Sequence, residues 1–136
     1  MDLGIAGRRA ILLASSRGLG RACAESLAAE GVHVVVNGRT AAAVDSAVAE
    51  LRANHAVDVT GVVGDSTTTA VHDALLAACA EPDIVLLNGE GPSPLPFSLI
   101  DDDSLSAAFQ QAVLGPVRFL QRVVPGMVER RFGRVV

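Results

Sequence analysis

A run rich in serine and glycine lies between an apolar segment and a segment with helical spacing, and comprises Ser15, Ser16, Arg17, Gly18, Leu19 and Gly20. Glycine at the start of a helix lets the backbone approach a ligand closely. The N–H groups and the positive end of the helix dipole at such a start attract anions. The run therefore predicts a loop that holds a pyrophosphate, and the alternative is a strand-to-helix turn that binds nothing.

A second polar cue follows the next apolar run, at Asn37, Gly38 and Arg39. Proteins that bind NAD place an Asp or Glu here, about 20 residues after the glycine loop, to bind the ribose 2′-hydroxyl. In this chain Gly38 leaves room and Arg39 supplies a guanidinium, which Arg17 of the first loop can join. Because a guanidinium pairs with phosphate oxygens, these residues predict NADP rather than NAD as the cofactor. The alternative is that Arg39 is a solvated turn residue.

Five short apolar runs mark the strands that must position these loops: RRAILLA, VHVVVN, VDVTGVV, DIVLLN and GRVV. Helical spacing separates them: from about Leu19 to Glu30 with Gly31 placed just beyond the helix end, after Thr40, and after the STTT run. A fourth helical segment runs from Asp103 or Ser104 to about Arg131 with a bend at Pro116. The alternation predicts an α/β fold with a doubly wound parallel sheet. We expect the strand order 3-2-1-4-5, with GRVV at the outer edge, and one dinucleotide-binding domain over residues 1–136.

Composition excludes several function classes. Half of the 136 residues are hydrophobic, 19% are charged and the formal net charge is −4, so the sequence predicts neither disorder nor a nucleic-acid surface. No apolar run approaches a membrane span, and the first ten residues show no secretory signal. Cys23 and Cys79 are interpreted as reduced thiols. We therefore expect a cytoplasmic protein with no membrane or nucleic-acid partner.

The stretches ASSRGLGRACAESLAAEG and VVVNGR resemble the opening of a short-chain dehydrogenase/reductase, close to the 3-oxoacyl-[acyl-carrier-protein] reductase-like members. The resemblance covers essentially the whole chain and implies a Rossmann-type sheet. The family's glycine motif is T-G-x-x-x-G-x-G. Gly18 and Gly20 keep its later glycines, whereas Leu13 and Ala14 replace its first two residues.

The resemblance also implies roles for residues after the third and fourth strands. Asp65 matches the acid that contacts the adenine, with Ser66 beside it, and the alternative is that Asp65 caps the next helix. Asn88 and Gly89 match part of the N-N-A-G turn, although Leu87 and Glu90 depart from it. Asn88 could equally satisfy backbone groups of the neighbouring strand.

The same resemblance implies hydride transfer between NADP and a small-molecule alcohol or ketone, with a Tyr as general acid, a Lys, a Ser and a helix Asn. The chain contains no Tyr, its basic residues are all Arg, and Ala112 stands at the position of the Asn. We expect an NADP-dependent oxidoreductase truncated after the fifth strand, inactive on its own. The alternative is a non-catalytic dinucleotide-binding or regulatory module.

Two further expectations concern residues outside the loops. The open edge at Val135–Val136 lies beside apolar residues that we expect to be exposed, such as Val113, Leu120 and Val124. It predicts association with another chain, most simply as a homo-oligomer. The three histidines have no metal-ligand spacing and are interpreted as structural; His33 begins a strand, and we expect His55 and His72 to face solvent.

Overall fold

The computed structural model describes residues 2–89 and 91–136. Its strands are β1 (Arg9–Leu12), β2 (His33–Gly38), β3 (Val59–Val63), β4 (Ile84–Leu86) and β5 (Arg134–Val135). Its helices are α1 (Gly18–Ala29), α2 (Ala41–Asn54), α3 (Thr69–Ala78), α4 (Asp102–Phe109) and α5 (Gly115–Glu129). A short 3₁₀ turn spans Phe97–Leu99, and a π-helical turn at Gln110–Leu114 joins α4 to α5.

The sheet is parallel throughout and has the order β3-β2-β1-β4-β5. This is the order expected from the sequence, and it places β5 at the outer edge. The strand order reverses next to β1, so the connections after β1 and β4 diverge there. Ligands of open α/β sheets bind outside the carboxyl ends of the strands at this switch point.

Alternate residues of the central strands feed two cores, one on each face of the sheet. Ala10 and Leu12 of β1 pack with residues of α1 and α2, such as Ala24 and Leu51. Ile11 belongs to the opposite core, which α3 and α5 complete with side chains that include Leu75 and Phe119. Burial on both faces explains why the strands read as continuous apolar runs.

The end of α1 follows from its glycine. Gly31 adopts φ +79°, and its N–H donates to the Ala28 carbonyl at 3.0 Å while the Val32 N–H donates to the Leu27 carbonyl at 3.0 Å. This bond pair is a Schellman motif, which confirms the predicted role of Gly31 just beyond the helix.

The predicted fourth helix contains a π-helical turn. The backbone changes to π-helical bonding at Gln110–Leu114, so α4 and α5 are separate segments, and Pro116 lies in the first turn of α5. Proline lacks the N–H that would bond to a carbonyl of the preceding turn, and the π-helical bonding lies in that turn. The irregularity thus falls in the turn before Pro116, whereas Pro125 lies inside α5.

Three expectations about individual side chains are wrong. His72 is 2% exposed rather than facing solvent, because its ring packs against Phe119, 5.0 Å between ring centroids. His55 is half-buried, with Nε2 2.5 Å from Glu25 Oε1. Leu120, expected to be exposed, packs against the core that contains Phe119.

Among the described helices, none is both long enough and apolar enough to cross a membrane.

Candidate dinucleotide-binding site

A cleft of about 260 Å³ opens at the carboxyl edge of the sheet, beside the switch point. The ends of β1, β2, β3 and β4 and the start of α5 all contribute to it. Its walls contain the following predicted residues: Ser16, Arg17, Asn37, Gly38, Arg39, Asp65, Ser66, Asn88 and Gly89. Residues from the ends of four different strands and the loops that follow them therefore meet in one cavity.

Ala14 forms the sharp turn between β1 and α1 and adopts φ +45°, a left-handed conformation that favours glycine. Two asparagines hold this strained peptide. The Ala14 N–H donates to Asn37 Oδ1 at 3.1 Å, and Asn88 Nδ2 donates to the Ala14 carbonyl at 2.8 Å. The second bond is the backbone role that the sequence left open for Asn88.

Asn37 is 1% exposed and ties three strand ends together. Besides accepting from Ala14, it donates through Nδ2 to the carbonyls of Val62 and Gly64, each at 3.1 Å. Its backbone N–H donates to Ser15 Oγ at 3.2 Å, and Ser15 Oγ donates to the Leu12 carbonyl at 2.7 Å. Asn37 and Ser15 therefore shape the cleft through its backbone.

At two positions, glycine is required because neighbouring atoms leave no room for a Cβ. A Cβ on Gly20 would lie 2.8 Å from the Ala14 carbonyl oxygen, so glycine lets α1 pack against the end of β1. A Cβ on Gly38 would lie 2.8 Å from Ser16 Cβ and 3.0 Å from Val44 Cγ2. Gly38 therefore has no side chain at the place where the Ser16 side chain lies against it.

The cleft carries two guanidinium groups. Arg17 is the N-cap residue of α1, and Arg39 follows β2; both are exposed and line the cavity. The first turn of α1, at Gly18, Leu19 and Gly20, contains no acidic residue. The positive end of the helix dipole thus adds to the two charges, which makes this end of the cleft suited to phosphate.

Asp65 supplies a negative charge to the cleft. Its Oδ1 accepts from the Thr67 N–H at 2.9 Å and from the Thr67 hydroxyl at 2.8 Å. These bonds, together with the charge of Arg39, hold the pKa of Asp65 below its usual range. Thr68, not Asp65, is the N-cap residue of α3, and it accepts from the Val71 N–H at 3.4 Å.

Four predicted residues do not line the cavity: Ser15, Gly18, Leu19 and Gly20. Ser15 is fully buried, whereas Leu19 is 74% exposed beside the first turn of α1. Gly18 begins α1 at φ +58°, which glycine adopts without strain. These residues form the loop that places Ser16 and Arg17 in the cleft.

Sequence reasoning assigned no site role to several residues that line the cleft: Leu13, Ala14, Thr40, Gly64, Thr67, Gln111 and Pro116. The first five adjoin predicted positions, so proximity in sequence could have found them. Gln111 and Pro116 arrive from the π-helical turn and α5, and no local pattern marks them. Ala112 lies in the same turn and is not among the lining residues, and Glu90 lies outside the described residues.

A family model described as short chain dehydrogenase matches residues 8–136. The chain belongs to this family. An uncharacterised oxidoreductase of Bacillus subtilis, YvaG, is 33% identical over 137 residues, which cover 100% of this chain and 52% of that protein. A very-long-chain 3-oxoacyl-CoA reductase of Aspergillus clavatus is 31% identical, over 99% of this chain and 41% of the relative.

The fold agrees with the family. The crystal structure of L-sorbose reductase from Gluconobacter frateurii, complexed with NADPH and L-sorbose, matches with a TM-score of 0.90 and 30% identity, over 99% of this chain and 53% of that chain. The short-chain dehydrogenase chain described here therefore spans about half the length of the relatives it matches. In its described part, no group of three His, Cys, Asp or Glu side chains could hold a metal ion.

Proposed function

We propose that the cleft binds NADP(H) and that the chain is the cofactor-binding part of an oxidoreductase acting on an alcohol/carbonyl pair. The observation that carries this proposal is that Arg17 and Arg39 line one cleft and that Gly38, next to Arg39 in the chain, stands in place of a carboxylate. A 2′-phosphate needs positive charge, which the two guanidinium groups supply, and position 38 carries no carboxylate that would repel it. When bound, NADP(H) would donate or accept hydride.

Different parts of the cleft are assigned to different parts of the dinucleotide. The N-terminus of α1, where Arg17 is the N-cap residue, would attract the pyrophosphate, and Arg39 is assigned to the 2′-phosphate. Asp65 and Ser66 are assigned to the adenine, since a carboxylate accepts from an amino group. Asn88 and Gly89 lie at the end of β4, where the nicotinamide ribose is expected by resemblance to the family.

The substrate is proposed only as a small-molecule alcohol or ketone. Support comes from relatives whose names identify them as reductases of carbonyl compounds, including the Aspergillus 3-oxoacyl-CoA reductase and L-sorbose reductase. The second candidate is a non-catalytic dinucleotide-binding module. One observation favours it: the 136 residues contain no Tyr and no Lys, the residue types that the resemblance gives to proton transfer.

We further propose a cytoplasmic setting and self-association. The setting is supported by free thiols at Cys23 and Cys79. Self-association is supported by an exposed apolar stripe along α4 and α5, formed by Leu105, Phe109, Val113, Val117, Val124 and Val128. Light scattering tests it: a mass well above 14.0 kDa supports an oligomer, whereas a stable monomer contradicts one.

The cofactor proposal is tested by calorimetric titration of the wild-type chain with NADP and NAD. We expect tighter NADP binding, and Arg39→Gln should weaken NADP by about 10-fold or more while changing NAD little, because one charge-assisted contact is lost. Arg118→Gln, which removes an equal charge from an exposed position outside the cleft, is the control. Equal binding of the two cofactors by the wild type would contradict the proposal.

A further inference from the structure

A buried histidine outside the cleft is bonded to the wall of the cleft. His72, on α3, is 2% exposed, and its Nε2 lies 2.8 Å from the carbonyl oxygen of Ser66. A carbonyl oxygen can only accept, so Nε2 carries the hydrogen and donates. Ser66 lines the cleft beside Asp65. The histidine thus fixes the backbone of the turn that presents both residues.

The His72 ring is itself held in place by α5. It packs against Phe119, which is fully buried, with 5.0 Å between the ring centroids and an angle of 50° between the ring planes. Aromatic pairs in this tilted arrangement stabilise one ring orientation. The direction of the Nε2–H bond is therefore determined by a residue of the neighbouring helix.

A second contact joins α5 to the same turn. Gly115, the first residue of α5, is buried so closely against Thr67 that a Cβ there would lie 3.0 Å from Thr67 Cβ and Cγ2. Thr67 in turn provides both hydrogen bonds to the Asp65 carboxylate. Gln111 and Pro116, from the adjoining π-helical turn and α5, line the cleft directly.

We infer that His72 is a positioning residue for the adenine side of the dinucleotide site, acting through the Ser66 carbonyl. Together with Gly115 it couples the turn at residues 65–67 to α5. The inference rests on the proposed NADP(H) function for the location of the adenine. The claim that His72 fixes the backbone of the turn at residues 65–67 does not depend on any ligand.

The test uses two substitutions at one position. His72→Phe keeps an aromatic ring but removes the donor, whereas His72→Gln keeps an N–H donor without the ring. In the free chain, we expect His72→Phe to accelerate hydrogen exchange of the Thr67 amide and to weaken binding of 2′,5′-ADP by about 3- to 10-fold, the effect of one lost hydrogen bond. His72→Gln should recover most of both properties. His33→Gln, at the opposite edge of the sheet, is the control.

The outcomes separate the inference from the function on which it rests. If the wild type fails to bind 2′,5′-ADP, the NADP(H) proposal fails, and the exchange of Thr67 still decides whether His72 holds the turn. If the Phe variant matches the wild type in exchange and affinity, or if Gln and Phe are equally impaired, the inference is overturned. Gly115→Ala provides an independent variant should His72→Phe not fold, and it should alter the same two readouts.

Discussion

Ser16 occupies the space where a side chain on Gly38 would lie: a Cβ at position 38 would be 2.8 Å from Ser16 Cβ. In the family pattern, the carboxylate that selects NAD belongs at or near the end of β2. The Ser16 side chain therefore helps to exclude a carboxylate side chain from position 38. A larger residue at position 38 would require a smaller residue at position 16.

The pair predicts that Gly38→Asp alone will not convert cofactor preference. We expect it to lower the free energy of unfolding by about 1–3 kcal/mol through overpacking, with no useful gain in NAD affinity. Adding Ser16→Gly should restore stability and raise NAD binding. Urea unfolding and calorimetry would measure both, with Ser16→Gly alone as the control. A Gly38→Asp variant that is as stable as the wild type and binds NAD tightly would refute the pairing.

Ala14 predicts a stabilising substitution. Its φ of +45° carries strain that glycine does not, so Ala14→Gly should raise the free energy of unfolding by up to about 1 kcal/mol, after the entropic cost of glycine. Ala42→Gly, at an exposed position of α2, should instead lose about 0.5–1 kcal/mol. Thermal and urea unfolding compare the two. A loss of stability in Ala14→Gly equal to that of the control would show that the strain is negligible.

Asp65 predicts a specific acid sensitivity. Its pKa is lowered by the bonds from Thr67 and the charge of Arg39, so the carboxylate stabilises the fold above its ordinary pKa of 3.8 and loses that contribution as pH falls through the folded value. Asp65→Asn keeps the accepting oxygen without the charge. Between about pH 5 and about pH 3, we expect the wild type to lose stability more steeply than this variant.

The matched control for Asp65 is Asp45→Asn, at an exposed position of α2. Its loss of stability should parallel that of the wild type over the same interval. If Asp65→Asn also parallels the wild type, the bonds from Thr67 do not favour the ionised form.

The sequence was sufficient to predict the strand order of the sheet, but it did not predict the contacts of every side chain. Strand order followed from short Val-rich runs joined by helices, and Gly31 ended α1 where the pattern indicated. Asn37 was predicted to bind the cofactor, and it lines the cleft. The sequence did not indicate that its side-chain amide would hydrogen-bond to Ala14, Val62 and Gly64, which come together only on folding. No local pattern shows which backbone groups a polar side chain will meet.

The break between α4 and α5 and the burial of His72 illustrate the same limit. Pro116 signalled an irregularity, yet the π-helical turn precedes it at Gln110–Leu114. His72 lies among polar and apolar residues in sequence, and only its partners Phe119 and Ser66 explain its burial. Both features depend on contacts between segments distant in the chain.

Composition predicts the catalytic behaviour of the 136-residue polypeptide. Since it contains neither Tyr nor Lys, the pure chain should bind NADPH without reducing any ketone. Absorbance at the NADPH band, with intact mass confirming the 14.0 kDa chain, would measure this. Reduction that increases with the amount of pure chain would overturn the expectation.

The claim that the cleft is a dinucleotide site is tested most directly by a backbone amide NMR titration with NADP. We predict saturable shifts at Ser16, Arg17, Arg39 and Ser66, around the cleft at the carboxyl edge, and none at His33 on the opposite edge. Shifts confined to the amino edge, or no saturable shifts at any position, would contradict the assignment.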